Sequence, residues 1–127
     1  MKRGRVRKPF TKLLRNVLNS GSRARAMTKK RLGKFIEVEI DENDLEDLWN
    51  KQNGKCYWLN IDLKLDWLYE KWHPFAPSVD RLSENLGYVK DNIAICARIS
   101  NLGRQKCEPD KFKNHIDYLK KQIQNEK

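Results

Sequence analysis

Apolar residues recur along this chain with two different periods, and the change of period divides it into elements. Across residues 11–27, Leu13, Leu14, Val17 and Leu18 are followed by Ala24 and Ala26, the spacing of a basic amphipathic helix. Ser20-Gly21-Ser22 weakens or breaks that helix. Residues 35–40 alternate instead. Ile36, Val38 and Ile40 share one face and Phe35, Glu37 and Glu39 the other, which predicts a short strand. A helix follows to about residue 52, capped by Asp41 or Asn43, with Leu45, Leu48 and Trp49 inward and Gly54 as its stop. Residues 56–59 read as a short strand. Within 60–77, Leu65, Trp67, Leu68 and Trp72 suggest a short helix before His73-Pro74.

Downstream, residues 78–82 read as a strand, 84–87 as a turn, and Tyr88-Val89 as the start of a return strand. Asn92 precedes a predicted helix that places Ile93, Cys96, Ile99 and Leu102 at helical spacing and ends at Gly103. Pro109 suits the first turn of a last helix, with Phe112, Ile116, Leu119 and Ile123 inward. The expected class is α+β: strand, turn, strand and helix over residues 78–103, with flanking helices and no internal repeat.

Composition narrows the possibilities. A chain of 127 residues suits one domain, with or without an extension. Only 39% of it is hydrophobic, so the core must be small. Net charge is +10, and the distribution says more than the total. Residues 1–34 hold 13 of the 27 Lys and Arg and no Asp or Glu, whereas the rest holds 14 basic and 17 acidic residues. The division is therefore a basic N-terminal arm and helix over 1–34 and a domain over 35–127. A segment so charged attracts a polyanion, and nucleic acid is the usual one. No apolar run approaches the roughly 18–20 residues that span a membrane. Nor does an apolar signal core follow the basic start, so a cytoplasmic location is expected. Three cysteines, Cys56, Cys96 and Cys107, argue for reduced thiols rather than a disulfide framework.

Candidate chemistry lies in the same region as the strand–turn–strand–helix pattern. Cutting a phosphodiester needs a divalent metal on the phosphate, hard oxygen ligands for it, a base to activate water, and a cation for the developing charge. The chain carries Pro77-Ser-Val-Asp-Arg-Leu, then Gly87-Tyr-Val-Lys-Asp-Asn-Ile, then Arg98-Ile-Ser-Asn101. Upstream stands Leu48-Trp-Asn-Lys-Gln-Asn-Gly-Lys-Cys-Tyr-Trp. In these motifs, over about residues 11–120, the sequence resembles the phage-type HNH endonucleases, whose core is a ββα-metal motif.

The resemblance implies roles for particular residues. Asp80 matches the metal-binding Asp of the first strand. Asn92 matches the residue that braces the loop through backbone hydrogen bonds. Asn101 matches the metal ligand on the helix. Nine residues separate Asn92 from Asn101, two and a half helical turns, so the two are expected on opposite sides of one helix. The position of the general base holds Arg81, which cannot readily take a proton. Either another group activates water, with His73 the leading candidate, or the metal alone does so while Arg81 clamps the phosphate. The resembling phage subfamily also carries Arg there, so Arg81 is not read as inactivation.

The family implies one Mg²⁺ or Mn²⁺ held by Asp80 and Asn101, and DNA, expected double-stranded, as substrate. It also implies a phage-encoded protein acting in a bacterial host. One motif cuts one strand, so a homodimer is what double-strand breaks would require. Many members hold a structural zinc with paired Cys-x-x-Cys half-sites. Here Leu59 and Ile99 stand where second cysteines would, so none is expected. Arg3, Arg5, Arg7, Lys8, Lys12, Arg15, Arg23 and Arg25 are expected on the DNA backbone.

Each residue also has a plainer reading. Asp80-Arg81 alone is a strand-end ion pair, Asn92 a helix cap, Asn101 a helix-end residue, His73 structural, and His115 a surface or packing residue. The four tryptophans read as packing, with Trp67 or Trp72 a candidate DNA contact. Two rival functions follow. One is a non-catalytic nucleic-acid-binding protein on a degenerate HNH fold. The other is a basic accessory protein that binds RNA or a ribosome through residues 1–34.

Overall fold

A computed structural model describes residues 8–19, 37–83, 85–104 and 107–125. Residues 9–19 are helical (α1), followed by α2 (Glu42–Lys51), a 3₁₀ turn at Leu65–Tyr69, β1 (Pro77–Arg81), β2 (Ile93–Ala97), α3 (Arg98–Arg104) and α4 (Pro109–Asn125). The fold is α+β.

The local signals of α2 act as expected. Asp41 caps it: its side chain accepts from the Asp44 N–H at 2.9 Å, and the Asp44 carboxylate accepts from the Asp41 N–H at 2.9 Å. The chain then leaves through Asn53 and Gly54, both left-handed, with φ of 56° and 68°. Leu45 is fully buried, and Leu48 and Trp49 pack at the edge of the core.

β1 and β2 pair antiparallel, with Pro77 opposite Ala97 and Arg81 opposite Ile93. The return strand is therefore Ile93–Ala97, not a segment opening at Tyr88. Tyr88 instead makes an isolated parallel bridge to Val38, the one described trace of the strand expected over residues 35–40; positions 35 and 36 lie outside the described residues. The helix predicted from Ile93 begins only at Arg98. All five residues of β2 are buried. A short run buried all round carries no period that separates strand from helix, so the spacing of Ile93 and Cys96 misleads. The predicted placement of Asn92 and Asn101 on opposite sides of one helix fails for the same reason, because Asn92 precedes β2. Residues 57–59 form a turn rather than a strand, closed by a bridge between Lys55 and Asp62.

A two-stranded sheet leaves edge groups that need partners. On the outer edge of β2, Gln52 takes the place of a third strand. Its amide nitrogen donates to the Ile95 carbonyl at 2.8 Å, and its oxygen accepts from the Ile95 N–H at 2.9 Å. The Tyr57 N–H adds a bond to Ile95 O at 2.9 Å, and the Cys56 sulfur accepts from the Ala97 N–H at 3.2 Å.

One buried cluster joins Leu13 and Val17 of α1 to Leu45, Trp58, Leu68, Val79, Ile95, Cys96, Phe112 and Ile116. The first helix thus shares its core with the domain assigned to residues 35–127. Ile99, Leu102, Leu119 and Ile123, all expected inward, are exposed. In α3 the inward positions are Ser100 and Arg104 instead. In α4, Ile116 is the last buried residue among those described, so the helix outruns the core. No helix among the described residues is long and apolar enough to cross a membrane.

Candidate functional site

The candidate residues of the motif separate into three places. Asp80 lies on the sheet face that α3 covers, 7% exposed. One of its oxygens, Oδ2, accepts from the Trp58 indole N–H at 3.0 Å and from the Arg104 guanidinium at 2.8 Å. That guanidinium is buried too. It donates further to the carbonyls of Arg81 at 2.7 Å, Leu82 at 2.6 Å and Cys107 at 2.9 Å, and lies 5.0 Å from the centre of the Trp58 ring. Trp58 packs edge-on against Phe112, so this cluster ties β1, α3, α4 and the 57–59 turn together. The same carboxylate lies near Cys96, whose thiol is pushed well above its usual range, chiefly by burial and further by the charge of Asp80.

Asn92 closes the β1–β2 connection. Its oxygen accepts from the Ser83 N–H at 2.8 Å, and its amide donates to the carbonyls of Ser83 and Gly87, each at 3.0 Å. Gly87 has to be glycine. A Cβ there would collide with the Glu37 carbonyl oxygen, because the Tyr88 N–H pairs with that carbonyl at 2.7 Å. Arg81 serves the same turn: it donates to the Leu86 carbonyl at 3.2 Å and lies 5.6 Å over the Tyr88 ring. Burial raises the Tyr88 phenol, and the positive charge of Arg81 partly offsets the effect.

Asn101 reaches back from α3 to the start of β1. Its amide donates to Ser78 Oγ at 2.7 Å and to the Val79 carbonyl at 3.3 Å. It also lines an open cleft of about 780 Å³ between α1, residues 68–72, β1 and α3. His73 is held elsewhere. Its ring stacks on Trp67 with centroids 4.4 Å apart, and Nδ1 accepts from the Phe75 N–H at 3.1 Å. Among the described residues it makes no hydrogen bond to Asp80, Arg81 or Asn101.

As arranged, these residues do not fit a divalent metal. The Asp80 carboxylate already neutralises a guanidinium, and a second cation at the same oxygen would meet that positive charge in a dry interior. Among the described residues, no three or more His, Cys, Asp or Glu side chains stand together as a metal group. Of the expected DNA-backbone contacts, Lys8 and Arg15 are exposed and Lys12 is half-buried beside the cleft. Arg3, Arg5, Arg7, Arg23 and Arg25 lie outside the described residues. Arg104 escaped the sequence reading, and Trp58 was read only as packing, without its bond to Asp80. Nothing local marks either one, and their partner Asp80 is 24 and 22 residues away.

Compared with family models, with curated proteins and with solved structures, the chain matches none.

Proposed function

We propose that this chain is a DNA-binding protein built on an HNH-like ββα framework, in which Asp80 holds the fold together rather than a metal. The observation that carries this reading is the buried Asp80–Arg104 pair. It uses the carboxylate that a nuclease of this type would commit to its metal. Binding itself rests on the basic composition of residues 1–34 and on α1, whose Leu13 and Val17 pack into the core.

A second reading, a metal-dependent DNA endonuclease using Mg²⁺ or Mn²⁺, is favoured by two other observations. Asn92 braces the loop between the strands, and Asn101 projects from the helix onto the strand that carries Asp80. That reading requires Asp80 to leave Arg104 when a metal arrives. It keeps Asp80 and Asn101 as the ligands, with Arg81 or His73 at the phosphate or the water.

One experiment separates the two. Plasmid DNA is incubated with the protein in EDTA, Mg²⁺ or Mn²⁺, and binding to a labelled duplex is followed as salt is raised. The binding reading expects affinity that falls steeply with salt and intact plasmid under every condition. Metal-dependent nicking that disappears in Asp80→Ala and in Asn101→Ala, with both variants shown folded by their melting curves, would establish the endonuclease instead.

A further inference from the structure

The cleft beside Asn101 has a chemistry that the framework does not use. Among the described residues, Lys12, Lys71 and Arg98 face it with Glu70 as the single carboxylate, so this lining is net cationic. Trp72 stands at its edge, 72% exposed. Its backbone is left-handed, with φ of 64°, a conformation that costs a residue with a bulky side chain on the order of 1 kcal/mol. Folding gains little from this indole, since it buries little surface, yet the backbone is strained where it is displayed. The Arg98 guanidinium lies 5.4 Å over the same ring and holds one side of it. Asn101 spends its amide N–H groups on Ser78 and Val79, and its oxygen makes no hydrogen bond among the described residues.

Cations around an exposed aromatic plane, with amide acceptors beside it, complement one kind of ligand: a nucleotide with its base free to stack. A paired base inside a duplex cannot reach a ring at the edge of a cleft, whereas an unpaired one can. The volume of about 780 Å³ falls within the range of small-molecule and nucleotide sites. We propose that this cleft takes an unpaired nucleotide of a DNA strand. The base stacks on Trp72, flanking phosphates lie against Lys12 and Lys71, and the Asn101 oxygen accepts from the base edge. The proposal rests on the DNA-binding reading and names the substrate it prefers: DNA with a gap or single-stranded segment.

The test compares two labelled 30-base-pair DNAs of one sequence, one intact and one with a three-nucleotide gap, by fluorescence anisotropy with the full chain. The wild-type protein is expected to bind the gapped DNA tighter than the intact one by roughly tenfold, the scale of one base–aromatic stack. Trp72→Ala removes that preference, and Trp72→Phe restores most of it. Melting curves of both variants should match the wild type, because the side chain is exposed. Equal wild-type affinity for the two DNAs, or an equal loss on both in Trp72→Ala, overturns the cleft assignment while leaving DNA binding in place. Failure to bind either DNA at low salt overturns the DNA-binding reading and the cleft assignment with it.

Discussion

Replacing Arg104 by methionine tests the central geometric claim, that Asp80 is half of a structural ion pair. Methionine keeps much of the stem volume and removes the charge. Four hydrogen bonds are lost, one to Asp80 and three to the carbonyls of Arg81, Leu82 and Cys107. Among the described residues, the Asp80 carboxylate then keeps only the Trp58 indole, and it remains buried. Breaking a buried pair from one side costs about 3–5 kcal/mol, because a charge is left without a partner. Against a domain stability of about 5–15 kcal/mol, that is a large share of the total. At roughly 3–5 °C per kcal/mol for a chain of this size, Tm should fall by about 15 °C. Asp80→Asn should cost less, about 1.5–3 kcal/mol, since Arg104 keeps its three carbonyl partners. The double variant should regain part of the loss, both uncompensated charges being gone. Urea melts followed by tryptophan fluorescence, run in EDTA, give all three values. The reasoning fails if Arg104→Met lies within about 1 kcal/mol of the wild type. It also fails if Asp80→Asn stabilises the protein, which is what a carboxylate held ready for a metal would do.

Three further expectations follow from the same geometry. Cys96 has its thiol pushed up in the folded state, so above about pH 9 the unfolded chain loses this proton while the folded one keeps it. Stability present at neutral pH should therefore fall with rising pH, by up to about 1.4 kcal/mol per unit, and Cys96→Ala should flatten that slope in melts between pH 8 and 10.5. Gly87→Ala forces a methyl into the Glu37 backbone and should cost about 1–3 kcal/mol; hydrogen exchange should show the Tyr88 and Glu39 amides losing protection first. Asn92→Ala frees three backbone groups at Ser83 and Gly87 and should cost about 1–3 kcal/mol in a urea melt, with no change if solvent already satisfies them.

Residues whose effect is local were legible in the chain. Asp41 announces α2, Gly54 follows its end and Pro109 opens α4. Each acts through its own backbone or its own charge, so neighbours in sequence suffice to read it. The order strand, strand, helix was also legible, though with the second strand and the helix each displaced. Five consecutive buried residues erase the period by which β2 would have been recognised. Which groups meet was decided only by the tertiary fold. Gln52 completes the edge of β2 from 43 residues away, and Arg104 closes on an aspartate 24 residues earlier in the chain. The sequence by itself placed an Asp on a strand and an Asn on the helix that follows. Burial then gave Asp80 a cation from the protein and left Asn101 at the mouth of a basic cleft. In a dry interior a charge must take whatever partner the packing brings to it, and sequence spacing carries no record of that partner.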